Sequence, residues 1–595
     1  MNKRPVEQVR QRPVIYQLLP RLYTNWCENP EPGAPIYVNG SGKMNDITPT
    51  VLEYIAGMGA THVWYTGVIE HAHDADYTRF GIERDNPHVI KGRAGSPYAI
   101  SDYYDIDPDI ATVVPARMAE FEALVKRTHE AGLKVIIDFV PNHVARQYRS
   151  DSKPADAPTD LGEEDDSDMF FSPFNNFYYI PRQLFQPHGV SLGHGKDAYV
   201  EFPAKATGND CFTAFPSQND WYETVKLNYG YDPGNGSRHF YPAPPTWHKM
   251  LHILQFWADK GVDAFRCDMV HMVPVDFWHW AIAQVKDRHP NMVFIAEIYD
   301  VGLYRSYIDY GGFDYLYDKV TLYDTLRGIQ TSGWSAAQLT SCWQTVEDIK
   351  DKMLNFLENH DEQRYASVQY AGRADTVMPS LVVSATMGTG AMMVYMGQEV
   401  GEPGADAEGF SGHDGRTTIF DYWSLDKLRR MLDHGKCDGK KLTADERRLQ
   451  DRYRRVLKLV NSSEAVREGA FFDLMYVNYS NPDFNPHRQY AYMRATDDEA
   501  LLIVANFGSH SHDIKVNIPK HAFDILKLKE GKYDTVELIS GAKANMALEP
   551  DGTVSLSMGP YDAQVWQFKK AGDNVKKSPD SDKKPRKIAQ TAKKS

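Results

Sequence analysis

Four segments, each closing an apolar run, carry the residues whose types and spacing could do chemistry. Residues 135–143, VIIDFVPNH, end in Asp138, Asn142 and His143. Residues 261–271, GVDAFRCDMVH, present Arg266, Asp268 and His271. Residues 292–299, MVFIAEIY, present Glu297, and residues 353–364, MLNFLENHDEQR, present Asn359, His360, Asp361 and Arg364. Taken singly, each has a structural explanation. Arg266 and Asp268 make an ion pair, Glu297 caps a following helix, and Asn-His-Asp makes a turn. Gathered at one mouth, three carboxylates repel one another, an arrangement kept mainly where chemistry uses it. Such crowding would also raise their pKa values.

Elements that could gather them are legible along the first 460 residues. Apolar runs at 14–19, 61–65, 135–139, 262–267, 292–296, 313–316, 353–357 and 391–395 read as strands. Between them 51–58, 115–131, 247–259 and 277–287 carry apolar residues at helical spacing, and Gly132 and Gly261 follow two of these as stops. Strand–helix alternation implies a parallel sheet with crossover helices. Eight units imply an α/β fold, a (β/α)8 TIM barrel, whose strand ends carry the site. About a hundred aromatic- and Gly-rich residues interrupt it after the third strand. A segment that long is rarely structureless, so an inserted domain is expected, with a shorter insertion over 69–98. Its aromatics belong first to that domain's own core; a wall of stacking rings is the lesser reading. After residue 487 the apolar pattern has period two, as in a β-sandwich. The expected division is a barrel over 1–143 and 248–486, an inserted domain over 144–247, a C-terminal antiparallel β-sandwich over 487–568, and a disordered basic tail over 569–595.

Composition narrows the partners. The chain has 595 residues and a net charge of −14. The tail holds ten Lys/Arg against three Asp/Glu, so the body is more acidic still. A nucleic-acid binder needs a basic surface, and a membrane span needs about 18 uncharged apolar residues in a row; the body shows neither. Five scattered cysteines without a CxxC pair argue against a disulfide framework. The opening MNKRPVEQVRQRP lacks the apolar stretch of a secretory signal, so a cytoplasmic setting is expected.

In order and spacing, DFVPNH, FRCDMV, IAEI and ENHD resemble the four signature regions of the α-amylase family of retaining glycoside hydrolases and transglycosylases. VIYQLLPRLY is similar to that family's first barrel strand, SPYAISDYYDIDP to its segment with the stacking tyrosine, and WYETVKLNYG to its fifth region. The resemblance covers roughly residues 13–570. It implies that Asp268 is the nucleophile, Glu297 the general acid/base and Asp361 the third carboxylate, which holds sugar hydroxyls. It further implies substrate-binding roles for Tyr98, His143, Arg266, His271, His360 and Arg364. Physical chemistry runs the same way. Retention needs nucleophile and acid about 5–5.5 Å apart, and neighbouring strands lie about 4.8 Å apart. Arg266, two residues before Asp268, shares its strand face and is expected to lower the Asp268 pKa.

The resemblance implies hydrolysis of α-glucosidic bonds, chiefly α-1,4, in starch- or glycogen-type glucans or maltooligosaccharides. The alternatives are a transglycosylase with the same residues and, less favoured, an inactive glucan- or partner-binding relative. No cofactor is required for the chemistry. Asn142 matches the family's calcium-ligand position, which leaves room for a structural calcium ion, although the usual Lys-His after the nucleophile strand is here His271-Met272.

Overall fold

The computed structural model describes residues 11–404, 410 and 412–569; apart from Lys569, the expected tail lies outside the described residues. Eight strands close a parallel barrel in chain order: β1 Val14–Leu18, β2 His62–Tyr65, β3 Lys134–Phe139, β4 Ala264–Cys267, β5 Val293–Ala296, β6 Tyr315–Tyr317, β7 Met353–Asn355 and β8 Ala391–Tyr395. β8 pairs with β1 to close the ring. These strands are almost wholly buried, which is why they read as continuous apolar runs rather than alternating ones. Register sets Arg266 of β4 beside Asp138 of β3 and Ile295 of β5. The charged residues are thus levelled at one end of the barrel.

Helices pack outside. Arg117–Glu130 and Pro245–Asp259 precede β3 and β4, and both turn into their strands through glycines in the left-handed region, Gly132 at φ 76° and Gly261 at φ 89°. Pro245–Asp259 and Val275–Arg288 bury Trp247, Trp257, Phe277 and Trp278 against the barrel. Ala444–Ser462 begins at a capping box in which Thr443 and Glu446 satisfy each other's backbone N–H groups.

The insertion after β3 is held by two short antiparallel ladders, His143–Ala145 with Thr224–Lys226 and Tyr179–Ile180 with Ala204–Lys205. A small core of Ile180, Phe185, Ala214 and Tyr222 lies within it. The C-terminal region forms a six-stranded antiparallel sheet and a separate two-stranded one. The strands are β9 Ala470–Asp473, β10 Gln489–Ala495, β11 Glu499–Asn506, β12 His512–Ile518, β13 Gly531–Glu537, β14 Lys543–Leu548, β15 Gly552–Met558 and β16 Asp562–Lys569. The larger sheet runs β9-β10-β11-β16-β13-β14, and β12 pairs with β15. This sheet therefore starts at Ala470, ahead of the change to period two at 487. Buried Arg494 fastens it to the barrel, donating from Nη1 to the Thr386 and Gly388 carbonyls at 3.0 Å each. No helix among the described residues is long and apolar enough to cross a membrane.

Candidate active site

Asp268 and Glu297 are the residues immediately after β4 and β5. Between them lies the fully buried guanidinium of Arg266. Its Nη1 donates to Asp268 Oδ1 at 2.8 Å and Nη2 stands 2.8 Å from Glu297 Oε2, while Nε donates to the Tyr317 hydroxyl at 3.2 Å. The second contact is an ion pair without good hydrogen-bond alignment. Glu297 is fixed further: Oε2 accepts from the Met269 amide at 2.9 Å and Oε1 from the Tyr299 hydroxyl at 2.5 Å. Met269 holds a left-handed backbone, φ 43°, which a methionine adopts only under constraint; that turn aims its N–H at Glu297.

For Asp268 the expected lowering by Arg266 is present but outweighed. Its pKa is raised, first by burial and then by the charge of Glu297, and Arg266 only partly opposes this. One guanidinium shared between two carboxyls does not offset the burial of Asp268 and the charge of Glu297 beside it. Asp361 behaves oppositely. Burial pushes it up, but the charge and hydrogen bond of His360, with Arg266 and Arg416 behind, hold it below the ordinary carboxylate range. Its Oδ2 is 2.9 Å from His360 Nε2, and its backbone N–H donates to Asn359 Oδ1 at 2.8 Å.

His360 and Tyr98 form one unit. The Gln17 amide nitrogen lies 2.8 Å from His360 Nδ1, on the side of the ring opposite Nε2. That nitrogen lies 2.6 Å from the Tyr98 hydroxyl, and Tyr98 in turn donates to Asp138 Oδ1 at 3.2 Å. The two rings stack, and Trp64 donates to the other Asp138 oxygen at 2.9 Å. His143 opens the strand that joins barrel and insertion. Burial, then Lys226 and Lys91, push its pKa down to about 3, so its ring is neutral.

These groups surround a cavity of about 350 Å³ lined by Tyr98, His143, Asp268, Glu297 and Asp361. Also on its wall are Lys91, Ser96, Trp221, Glu223, Tyr299 and Phe420, which sequence reasoning did not assign to the site. Tyr299, two residues past Glu297 on the same strand end, had a positional signal, and Ser96, Trp221 and Glu223 lie in the SPYAIS and WYETVKLNYG segments; Lys91 and Phe420 come from loops whose convergence has no signal. Lys91 and Glu223 form an ion pair at 2.8 Å.

The other expected residues stand differently. Arg266 and His360 sit behind the carboxylates and the tyrosine rather than on the wall. His271 lines a neighbouring cleft of about 410 Å³, with its ring 6.3 Å from Tyr299. Arg364 is turned away. It is fully buried, and its guanidinium donates to Thr417 Oγ1 at 2.7 Å, the Met396 carbonyl at 2.9 Å and Glu358 Oε2 at 3.0 Å. It secures the loop that carries Asp361 and has no face toward the cavity, which corrects its expected role in binding substrate.

Asn142 does not offer its oxygen to a metal ion. That oxygen accepts from Lys226 Nζ, which also contacts Asp210 Oδ1 at 2.7 Å and the Met272 carbonyl at 3.1 Å. A position already held by a buried cation does not fit calcium, which takes six to eight oxygens.

A closed parallel barrel whose strand ends gather carboxylates round one cavity defines a TIM-barrel protein with a carboxylate-lined site. The description "Alpha amylase, catalytic domain" matches residues 37–456, and the chain belongs to the α-amylase family. Among curated relatives, it is 25% identical over 518 residues to an α-amylase of Haloarcula japonica, covering 86% of this chain and 58% of that one. It is 26% identical over 327 residues to an α-1,4-glucan:maltose-1-phosphate maltosyltransferase of Cereibacter sphaeroides, covering 51% and 47%. The chain thus spans only 58% and 47% of the lengths of these two relatives. Among solved structures, a maltogenic α-amylase from Thermotoga neapolitana shares the fold at TM-score 0.60 and 19% identity, covering 94% of this chain and 99% of that one. An α-amylase from Geobacillus thermoleovorans does so at TM-score 0.61 and 18% identity, with the same coverage.

Proposed function

We propose that this protein hydrolyses α-glucosidic bonds, chiefly α-1,4, in starch- or glycogen-type glucans or maltooligosaccharides, with retention of configuration. The observation that carries the reading is the single Arg266 guanidinium within 2.8 Å of both Asp268 and Glu297, on neighbouring strands at the cavity wall. Asp268 and Glu297 follow two paired strands and interact directly side chain to side chain, which supports the short separation of a retaining pair over the about 6.5–9.5 Å of an inverting one. Asp268 attacks the anomeric carbon while Glu297 protonates the departing glycosidic oxygen. Glu297 then takes a proton from water, and the water's oxygen releases the sugar from Asp268. Each displacement inverts, so the product keeps the α configuration. Asp361 and neutral His143 hold hydroxyls of the sugar, and Tyr98 lies against its ring. Arg266 tempers the repulsion between the two reacting carboxyls.

The kinship with maltosyltransferases favours a second reading, in which a sugar hydroxyl replaces water in the second step. Incubation with starch, maltooligosaccharides and α-1,6 glucans, with products identified at low and high acceptor concentration, separates the two. NMR of the first-formed sugar, taken before mutarotation, tests the mechanism. An initial β-anomer would refute both readings. Five unpaired cysteines agree with a reducing, cytoplasmic setting.

A further inference from the structure

We infer that the ammonium of Lys226 acts as a built-in structural cation, tying the inserted domain to the barrel and orienting His143. Lys226 closes the last strand of the insertion, directly across the ladder from His143. Its three acceptors come from three places in the fold: Asn142 beyond β3, Asp210 within the insertion, and the Met272 carbonyl beyond β4. Three acceptors match the three N–H donors of an ammonium one for one. They fall well short of a calcium shell. The charge agrees as well. One carboxylate, Asp210, faces the site, which balances a single positive charge and not two. Lys226 is 93% covered from solvent, its exposure being about 7% on the side chain. Burial lowers its pKa, and Asp210 works against that.

The consequence reaches the cavity. With Oδ1 committed to Lys226, the Asn142 amide must turn Nδ2 the other way. Nδ2 donates to the Gly208 carbonyl at 2.7 Å and faces His143 Nδ1 at 3.1 Å. Nδ1 of the neutral ring is then an acceptor, and Nε2 carries the proton. Lys226 is therefore a positioning residue: it acts on substrate through Asn142 and His143. Because the cation is covalently part of the chain, the geometry of this corner does not depend on a metal supply.

The test uses the whole chain, with melting temperature, bound metal by elemental analysis, and kinetics on maltooligosaccharides. The kinetic arm rests on the proposed reading of the site; the melting and metal arms do not. After dialysis against EDTA the protein should hold no stoichiometric calcium and melt where it did before, and added calcium should not move it. Lys226→Met should lower the melting temperature. Assayed well below that temperature, it should lower kcat by roughly tenfold or more, the scale at which outer supports of a site act. Asp210→Asn, which keeps the shape and removes the counter-charge, should do the same to a smaller degree, and it stands in if the methionine variant does not fold. A wild-type protein that loses melting temperature in EDTA and recovers it with calcium would overturn the inference. So would substitutions of Lys226 and Asp210 that leave both readouts unchanged.

Discussion

Two arginine–carboxylate centres lie in this barrel, and they are nearly alike in composition. One is Arg266 with Asp268 and Glu297. The other is Arg364 with Glu358, near Glu399 and Glu402. Both guanidiniums are fully buried and both sit within 3.0 Å of a carboxylate oxygen. Their surroundings differ. Asp268 and Glu297 open on a cavity, and Arg266 is divided between them. Glu358 is closed in: it accepts from Arg364 and from the Tyr365 amide at 2.8 Å, while Glu399 takes the hydroxyls of Tyr16 and Tyr54. A charged centre becomes a reactive one when part of its hydrogen-bonding capacity faces space that a substrate can enter. The second centre spends its capacity on the protein and gains rigidity under the Asp361 loop.

The largest expected effects lie at the open centre. Asp268→Ala and Glu297→Gln should each cut turnover of α-glucans by several orders of magnitude, roughly 10⁴-fold or more, with the fold intact. Circular dichroism and a melting curve establish the fold; a chromogenic maltooligosaccharide reads the rate. Either variant near wild-type activity would remove the distinction between the centres.

The two arginines sharpen the comparison. Arg266→Lys replaces a fork by a point charge that cannot serve two carboxyls at once, so activity should fall by about 10²-fold with a small change in melting temperature. Arg364→Lys should do the reverse. It strips buried acceptors of donors, at a cost of about 1–3 kcal/mol, and should leave kcat close to wild type at temperatures where the variant is folded. An Arg364→Lys protein that melts normally but turns over slowly would place Arg364 back in the site.

The contrast also marks where sequence reasoning runs out. Asp268 and Glu297 were legible because each follows an apolar run, and a buried parallel strand has to read that way. The barrel strands were legible for the same reason, within a few residues at their ends. Arg364 was not. In HDEQR it lies three residues past Asp361, and spacing in a loop says nothing of which way a side chain turns. Lys226 reads as one charge in WYETVKLNYG, and its three acceptors come from segments 16 to 84 residues away. Strand β9, four residues with two phenylalanines, is too short to show a period, so the C-terminal sheet seemed to begin later than it does.

The smallest expected effect belongs to the closed centre and concerns pH. Glu402 is buried, its Oε2 accepting from the Leu428 amide at 3.1 Å, and burial raises its pKa from 4.5 to about 7 despite Arg364. A carboxyl whose folded pKa lies above its unfolded one binds its proton more tightly in the folded state. The stability this provides is complete below about pH 4.5, declines as pH rises, and is gone above about pH 7. A shift of this size amounts to about 3 kcal/mol. Glu402→Gln keeps the shape, and its amide carries no proton to lose. Relative to wild type, the variant should therefore gain stability as pH rises from about 4.5 to 7, with the difference levelling off above that range. Denaturant unfolding at closely spaced pH values reads the difference. Its slope should have the opposite sign to that of Asp361→Asn, since Asp361 is held below its ordinary range and adds stability that is lost as pH falls. If the two slopes shared a sign, the contrast between Glu402, shaped by burial, and Asp361, held down by facing charges, would fail.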